Sequence, residues 1–411
     1  MTDLRKAIVH IGGSHAQLLS IRAEKESGLA VIVTDRDPQA PAAEEADFFI
    51  TADATYSDGI MSALEECSGR FEIVGAYGVA DYAFKTVGAI HARFAPHLCQ
   101  ADIYGNFTNK FLTNAALARR AVPQPLQVWS GQRADNPGAA AILERAAGKD
   151  LVVKSATLNN SSGVVLLDDP TEASLAQALE HVFSRDDYAV VEEKLKGRIC
   201  NVDGFMAGGE FHPISTTYRL DDPDRLQVCT AMIQPADSWP EFFAEAAGLA
   251  RSSAHALGYR DGPFTVDLID SLSGPGGLKV LEASPHFHLP QCDWLRGNGN
   301  PLAACAAYFG GDAGWNRFLG TNGGFGACVQ LSAPLAGRVS DIAGLDALRD
   351  NPAVRHFSIH LRPGMSVTST AGSKTLIGLV WLVEESAAAL RKSVYAVRDC
   401  IDVRVDNEVG S

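Results

Sequence analysis

The first 35 residues constrain the fold more than any other stretch. Ala7 to Ile11 is a short apolar run that stops at Gly12-Gly13, Ser14 to Gln17 open a helical pattern through Leu18, Ile21 and Ala23, and Ala30 to Thr34 is a second apolar run ending at Asp35. Strand, glycine turn, helix and strand in that order make a βαβ unit. Asp47 to Ile50 and Glu72 to Ala76 read as further strands, with a helix near residues 59–68 between them. The opening ~100 residues therefore predict a parallel, doubly wound sheet. The turn lacks full G-x-G-x-x-G spacing, so steric need for glycine at a strand-to-helix turn explains it as well as a dinucleotide would.

At 411 residues the chain has room for roughly two to three domains. Apolar residues at 46% and charged residues at 20% are ordinary globular usage, which argues against disorder and fibrous repeats. Lys and Arg number 35 against 49 Asp and Glu, a net charge of −14 that repels phosphate polyanions over most of the surface. The expected partners therefore include neither nucleic acid nor a membrane, and an anionic ligand must be met by a local cluster of cations. The run that follows Lys6 is too short for a signal peptide, and Ile377 to Val383 is cut off by Glu384-Glu385 before it reaches the ~18 residues of a span, so a cytoplasmic protein is expected. Eight cysteines without C-x-x-C or regular spacing read as reduced packing residues.

Beyond residue 106 the pattern predicts a helix from Asn106 to Arg120, a loop marked by Pro123 and Pro125, and a helix near 137–147. Leu151 to Lys154 and Val164 to Leu167 read as a hairpin around a loop rich in Asn, Ser and Gly. Val190 to Glu193 is a further strand, Asn201 to Met206 and Phe211 to Ser215 are antiparallel candidates, and a helix is expected over 240–257. Phe264 to Ile269 and Leu278 to Glu282 form a second hairpin across the Gly-rich turn Ser273 to Gly277. From Gly323 onward short strands alternate with a helix near 384–395 and a last strand, Asp402 to Val405.

Three features carry chemistry. Period-2 alternation places Asp267 and Glu282 on facing strands of the second hairpin, where two carboxylates converge and repel unless a divalent cation lies between them. Read alone, the same acids could be exposed strand residues with Lys279 as an ion partner. Lys154 ends an apolar strand just before Asn160, Ser161, Ser162 and Gly163, a placement suited to phosphate, and Lys110 on the preceding helix is a similar case. Val190 to Leu195 could offer backbone N–H and C=O groups to an adenine edge, or be an ordinary charged edge strand. At the first domain's strand ends, Tyr77 to Asp81 and His15 to Gln17 are candidates for a substrate pocket or plain turns.

Taken in order, Lys110, Lys154 with its loop, Glu192-Glu193-Lys194-Leu195 with Gly197, Asp267 and Glu282-Ala283-Ser284-Pro285 resemble the ATP-grasp carboxylate–amine ligases over nearly the whole chain. The branch indicated includes the L-amino-acid ligases, biotin carboxylase and the purine-biosynthesis ligases. The resemblance implies a multidomain α/β and α+β chain: a preATP-grasp α/β domain over 1–105, an ATP-grasp domain over 106–320 with subdomains 106–196 and 197–320, and a small β-rich domain over 321–411. It implies ATP and Mg²⁺ or Mn²⁺ as cofactors, a small-molecule carboxylate and an amine as substrates, and a homodimer. Lys110 and Lys154 would contact phosphates under the loop of Ser161, Ser162 and Gly163, with Glu193, Lys194 and Leu195 as the adenine hinge. Asp267, Glu282 and Ser284 would hold the metal.

Four departures from the family pattern bear on the acceptor chemistry. Where relatives read E-x-N-P-R, this chain reads Glu282-Ala283-Ser284-Pro285-His286, so the usual arginine is missing and the metal-ligand Asn is Ser284. His286 or His288, or Arg219 or Arg296 from elsewhere, would then supply the charge. Thr265 stands where some relatives place an arginine, and Ile199 where relatives carry an acidic ribose ligand, which leaves Asp203 as the candidate for that role. The stretch from His286 to Trp294, including Cys292, can also be read as a transition-metal site, against which stands its lack of defined ligand spacing. Rival functions are a bicarbonate-activating carboxylase or purine-type ligase, and a non-catalytic nucleotide-binding regulator.

Overall fold

The computed structural model describes residues 4–55, 57–158, 163–222, 228–235, 240–271, 277–320, 323–367 and 376–406. The loop positions Asn160, Ser161 and Ser162 and most of the turn from Ser273 to Gly277 lie outside them.

Four strands, Arg5–Ile11, Ala30–Asp35, Phe48–Thr51 and Phe71–Gly78, form a wholly parallel sheet, with Arg5–Ile11 lying between Ala30–Asp35 and Phe71–Gly78. Both faces are covered: Val9 and Ile32 enter one core and Ile8 and Val31 another, which is why these strands read as continuous apolar runs. The chain builds outward from Arg5–Ile11 on one side and returns on the other, so a crevice opens at the ends of Ile11 and Gly78. Gly12 makes the turn there at φ 106°, and a Cβ on it would lie 2.4 Å from Gln17 Nε2. The Gly13 N–H donates to the Asp35 carboxylate at 2.8 Å. That amide serves the turn itself, in keeping with the steric reading of the glycines.

Where one helix is expected from Asn106 to Arg120, two are found, Ala101–Thr108 and Lys110–Arg119. They meet at Asn109, which leaves helical geometry so that its side chain accepts from the Phe111 and Leu112 amides at 3.0 and 3.4 Å. Asparagine inside an apparent helix was the signal for this break.

A small antiparallel sheet follows in the order Gln127–Gln132, Tyr188–Glu193, Leu151–Ser155, Val164–Leu167. Alternation splits its faces. Leu151, Val153 and Val191 pack against the helices Ala139–Ala146 and Glu172–Phe183, while Val152 and Lys154 point to the opposite side.

The largest sheet has eight antiparallel strands in the order Leu278–Ser284, Gly262–Ser271, Gly197–Ala207, Glu210–Asp221, Cys229–Gln234, Phe325–Ser332, Leu376–Glu384, Val354–Ile359. It takes strands from both sides of residue 321 in sequence, pairing Ala231 with Val329 and Ile233 with Ala327. Helix Pro240–Leu257 lies on it through Ala246, Ala250 and Ala254, a stripe of small residues at helical spacing that permits close approach. Gly337–Ala343, Ser366–Val367 and Asp402–Asp406 form a separate three-stranded sheet near helix Ala387–Cys400. Among the described residues no helix is long and apolar enough to cross a membrane.

Candidate active site

A cleft of about 630 Å³ lies where the two antiparallel sheets and the crevice end of the parallel sheet meet. Val152, Val164 and Leu166 from the small sheet, Ile199, Ile269 and Leu281 from the large one, and Leu195 from the segment joining them give it an apolar part. Lys110, Lys154, Asp267 and Glu282 give it a charged part, and Val79, Ala80 and Tyr82 reach it from the parallel sheet.

The hairpin pairs Asp267 with Glu282 across the strands, with a bulge that shifts Leu268 to Val280. The convergence expected from alternation is therefore present. Burial, and next the negative charge of Glu282, push the Asp267 carboxyl up to about 7. On its other side Asp267 pairs in register with Asn201, whose side-chain N–H donates to it. Lys279 pairs instead with Glu193 at 3.0 Å, so it does not serve as the ion partner of the hairpin acids. Ser284 is buried opposite Thr265 and lines the same cleft. Two hard carboxylates facing one another, with a hydroxyl one step along the strand, are a donor set suited to a divalent cation such as Mg²⁺. Among the described residues no group of three or more His, Cys, Asp or Glu side chains forms a metal cluster, so the remaining ligands would have to come from Ser284 and from bound phosphate.

Lys154 sits on the cleft face of the small sheet and donates to Glu192 Oε2 at 2.5 Å. Glu192 is buried, and its other oxygen accepts from Asn114 Nδ2 at 2.6 Å. Lys110 donates to Leu158 O at 2.9 Å and lies 3.4 Å from Glu282 Oε1, so both lysines already touch carboxylates of the site. Gly163, at φ 73°, accepts from the Ser155 N–H at 3.2 Å. Ser161 and Ser162 lie outside the described residues. Glu193 is fixed: burial would raise its carboxyl, but the Leu126 N–H and the ammonium groups of Lys149 and Lys279 outweigh that and hold it at about 2. Lys194 donates to both Asp168 oxygens at 2.8 Å, and Lys194 and Leu195 both border the cleft.

Three expected roles need correction. Asp203 is 1% exposed and accepts from the backbone amides of His288 at 2.7 Å and Leu289 at 3.2 Å, so it anchors the turn after Pro285 rather than reaching a ribose. His288 borders the cleft, yet burial, then the positive potential of His286 and Arg219, depress its imidazole to about 3; it is neutral at pH 7 and cannot replace an arginine. Arg296 is also unsuited, because Asp293 at 2.8 Å and Gly324 O at 3.0 Å hold it in the interior. His286 and Arg219 do line the cleft. His286 stacks on Phe84 with ring centroids 5.8 Å apart, and its Nδ1 donates to Phe287 O at 2.6 Å, which leaves Nε2 as its working nitrogen. Cys292 is 1% exposed and its thiol is pushed well up by burial, the state of a packing residue.

The comparisons with known proteins agree with this architecture. An L-amino acid ligase from Bacillus licheniformis superposes with a TM-score of 0.78 at 16% identity, covering 99% of this chain and 100% of that one. Phosphoribosylglycinamide synthetase from Anaerococcus prevotii gives 0.72 at 14% identity over 98% and 100% of the two chains. Biotin carboxylase from Campylobacter jejuni, solved as a beta-gamma-ATP complex, gives 0.70 at 16% identity over 98% and 93%. The chain thus has the ATP-grasp fold of the carboxylate–amine ligases, end to end. Its closing segment is more particular: residues 329–406 match the family model of L-amino acid ligase C-terminal domain 2. No curated protein sequence matches the chain.

Proposed function

We propose that the protein is an ATP-dependent ligase that activates a small carboxylate as an acyl-phosphate and couples it to an amine, releasing ADP and phosphate. The observation that supports this best is the presence in one cleft of two lysines, a facing carboxylate pair and an apolar slot. The slot formed by Val152, Val164, Leu166, Ile199 and Leu281 would take adenine, with the backbone of Glu193 to Leu195 at its edge. Lys110 and Lys154 would neutralise the phosphates. Asp267, Glu282 and Ser284 would hold Mg²⁺, which when bound supplies charge stabilisation to the transferring phosphoryl group.

The substrate carboxylate oxygen would attack the γ-phosphorus as the bond to the ADP oxygen breaks. Arg219 and His286 Nε2 would stabilise the charge on the acyl-phosphate, in place of the missing arginine of the E-x-N-P-R pattern. The amine would then attack the acyl carbon and inorganic phosphate would leave. The C-terminal match favours an amine acceptor over the bicarbonate-activating alternative. A homodimer in the cytoplasm remains part of the proposal, and light scattering reads the first half of it. The deciding experiment is ADP release measured against a matrix of amino acids, other amines and small carboxylates. Absence of stimulated release, with ATP binding retained, would instead favour a nucleotide-binding regulator.

A further inference from the structure

We infer that Glu192, held by Asn114, is the residue that aims Lys154 into the cleft, so that nucleotide phosphate meets a prearranged ammonium. The inference rests on the ATP reading above and goes beyond it, because neither Glu192 nor Asn114 has a role there.

The placement follows from strand register. Glu192 stands opposite Val152, and Lys154 opposite Val190, so acid and lysine are diagonal neighbours on one face of the small sheet. That face is otherwise apolar around them, with Val152, Val164 and Leu166. A lysine stem has four rotatable carbons, and the other anions bordering the same cleft include Asp267 and Glu282. Left unrestrained, the Lys154 ammonium would fold toward those acids and occupy the metal position. The 2.5 Å contact with Glu192 uses one of its three N–H donors and keeps the head on its own sheet, leaving two for phosphate. Glu192 cannot swing away, since Asn114 holds its second oxygen at 2.6 Å and Gln127 in turn accepts from Asn114 at 3.2 Å.

Asn114 lies one turn beyond Lys110 on helix Lys110–Arg119, and the same helix begins with the Lys110 N–H donating to Ala156 O at 2.8 Å. One short helix therefore sets both phosphate-facing lysines relative to each other: Lys110 directly, Lys154 through Asn114 and Glu192.

The test compares Mg²⁺–ATP with adenosine, by calorimetric titration of the full chain. In Glu192→Gln, ATP affinity is expected to fall roughly tenfold while adenosine affinity stays within twofold, because the apolar slot is untouched; Asn114→Ala should act in the same direction with a smaller loss. A structural role alone would weaken both ligands together. Unchanged or tighter ATP binding in Glu192→Gln, or equal losses for ATP and adenosine, overturns the inference while leaving the ATP reading intact. If Glu192→Gln does not fold by thermal melt, Asn114→Ala decides on the same criteria. Failure of the wild-type chain to bind ATP at all overturns the ATP reading, and the inference with it.

Discussion

Asp267 and Glu282 stand directly opposite one another across a hairpin, and each is supported from a different side. Asn201 on the neighbouring strand donates to Asp267, and Lys110 from a separate helix reaches 3.4 Å from Glu282. The lysine that lies between them in sequence on the hairpin, Lys279, is committed to Glu193 instead. The pair is thus left facing the cleft, where burial first, and then the negative charge of Glu282, raise the Asp267 carboxyl. A cation binding there gains affinity from charge already in place.

The first prediction concerns this pair. Asp267→Asn and Glu282→Gln each keep shape and remove one charge, so substrate-stimulated ADP release is expected to fall by about a hundredfold or more in both. Chelation of divalent cations from the wild-type chain should produce the same loss, restored by adding Mg²⁺. Normal turnover in both variants would remove the metal assignment.

A second prediction separates the two side chains assigned to the acyl group. His286→Ala should lower kcat by roughly ten- to a hundredfold with little change in KM for ATP, because its Nε2 is assigned to charge that develops during transfer. Arg219→Ala should act mainly on KM for the carboxylate, since a guanidinium binds the ground-state acid as well. Steady-state kinetics with a substrate found in the ADP screen measures both, and unchanged turnover in His286→Ala sinks its role.

The hinge gives a third. Glu193 is held at about 2, below the ordinary carboxylate value of 4.5, so its contribution to stability is fully present above pH 4.5 and is lost as pH falls toward 2. Glu193→Gln should therefore cost about 2 kcal/mol at pH 7. The difference in Tm from wild type should narrow steadily between pH 5 and pH 3. Thermal melts across that range check it, and a gap that does not depend on pH would mean that packing, not charge, is responsible.

How far the site was legible in the sequence depends on how local each partner is. Asp267 and Glu282 could be placed because they end two apolar runs around one Gly-rich turn, and period-2 alternation then fixes their side. The parallel sheet was legible for the same reason, as runs such as Ala30 to Thr34 are buried on both faces. Glu192 looked like half of a charged edge because its second partner, Asn114, is 78 residues away. Asn201 left a trace, an amide flanked by the apolar Cys200 and Val202, but only register shows that it faces Asp267. Asp203 was misassigned because its partners are backbone amides 85 and 86 residues on, and backbone groups leave no mark in residue identity. The break at Asn109 was the opposite case, a local capping signal that an apolar helical pattern on both sides had masked.

Asp203 also supplies the last prediction, with the opposite pH sign to Glu193. Burial, the largest influence, raises its carboxyl to about 7 even though the His288 and Leu289 amides pull it down. Between pH 4 and pH 7 the folded chain then binds a proton at this site that the unfolded chain has released, so stability falls as pH rises through that window. The full effect is at most roughly 4 kcal/mol, from a shift of about three units. Asp203→Asn removes the titration but leaves one oxygen to serve two amides, so the variant should be less stable than wild type at pH 5. Its disadvantage should shrink or reverse by pH 8, where wild type bears a buried charge. Because the anchored turn also carries His286, ADP release in the variant should fall at every pH even where the melting temperatures coincide. A stability difference between the two proteins that stays constant from pH 5 to pH 8 would show that Asp203 does not titrate there.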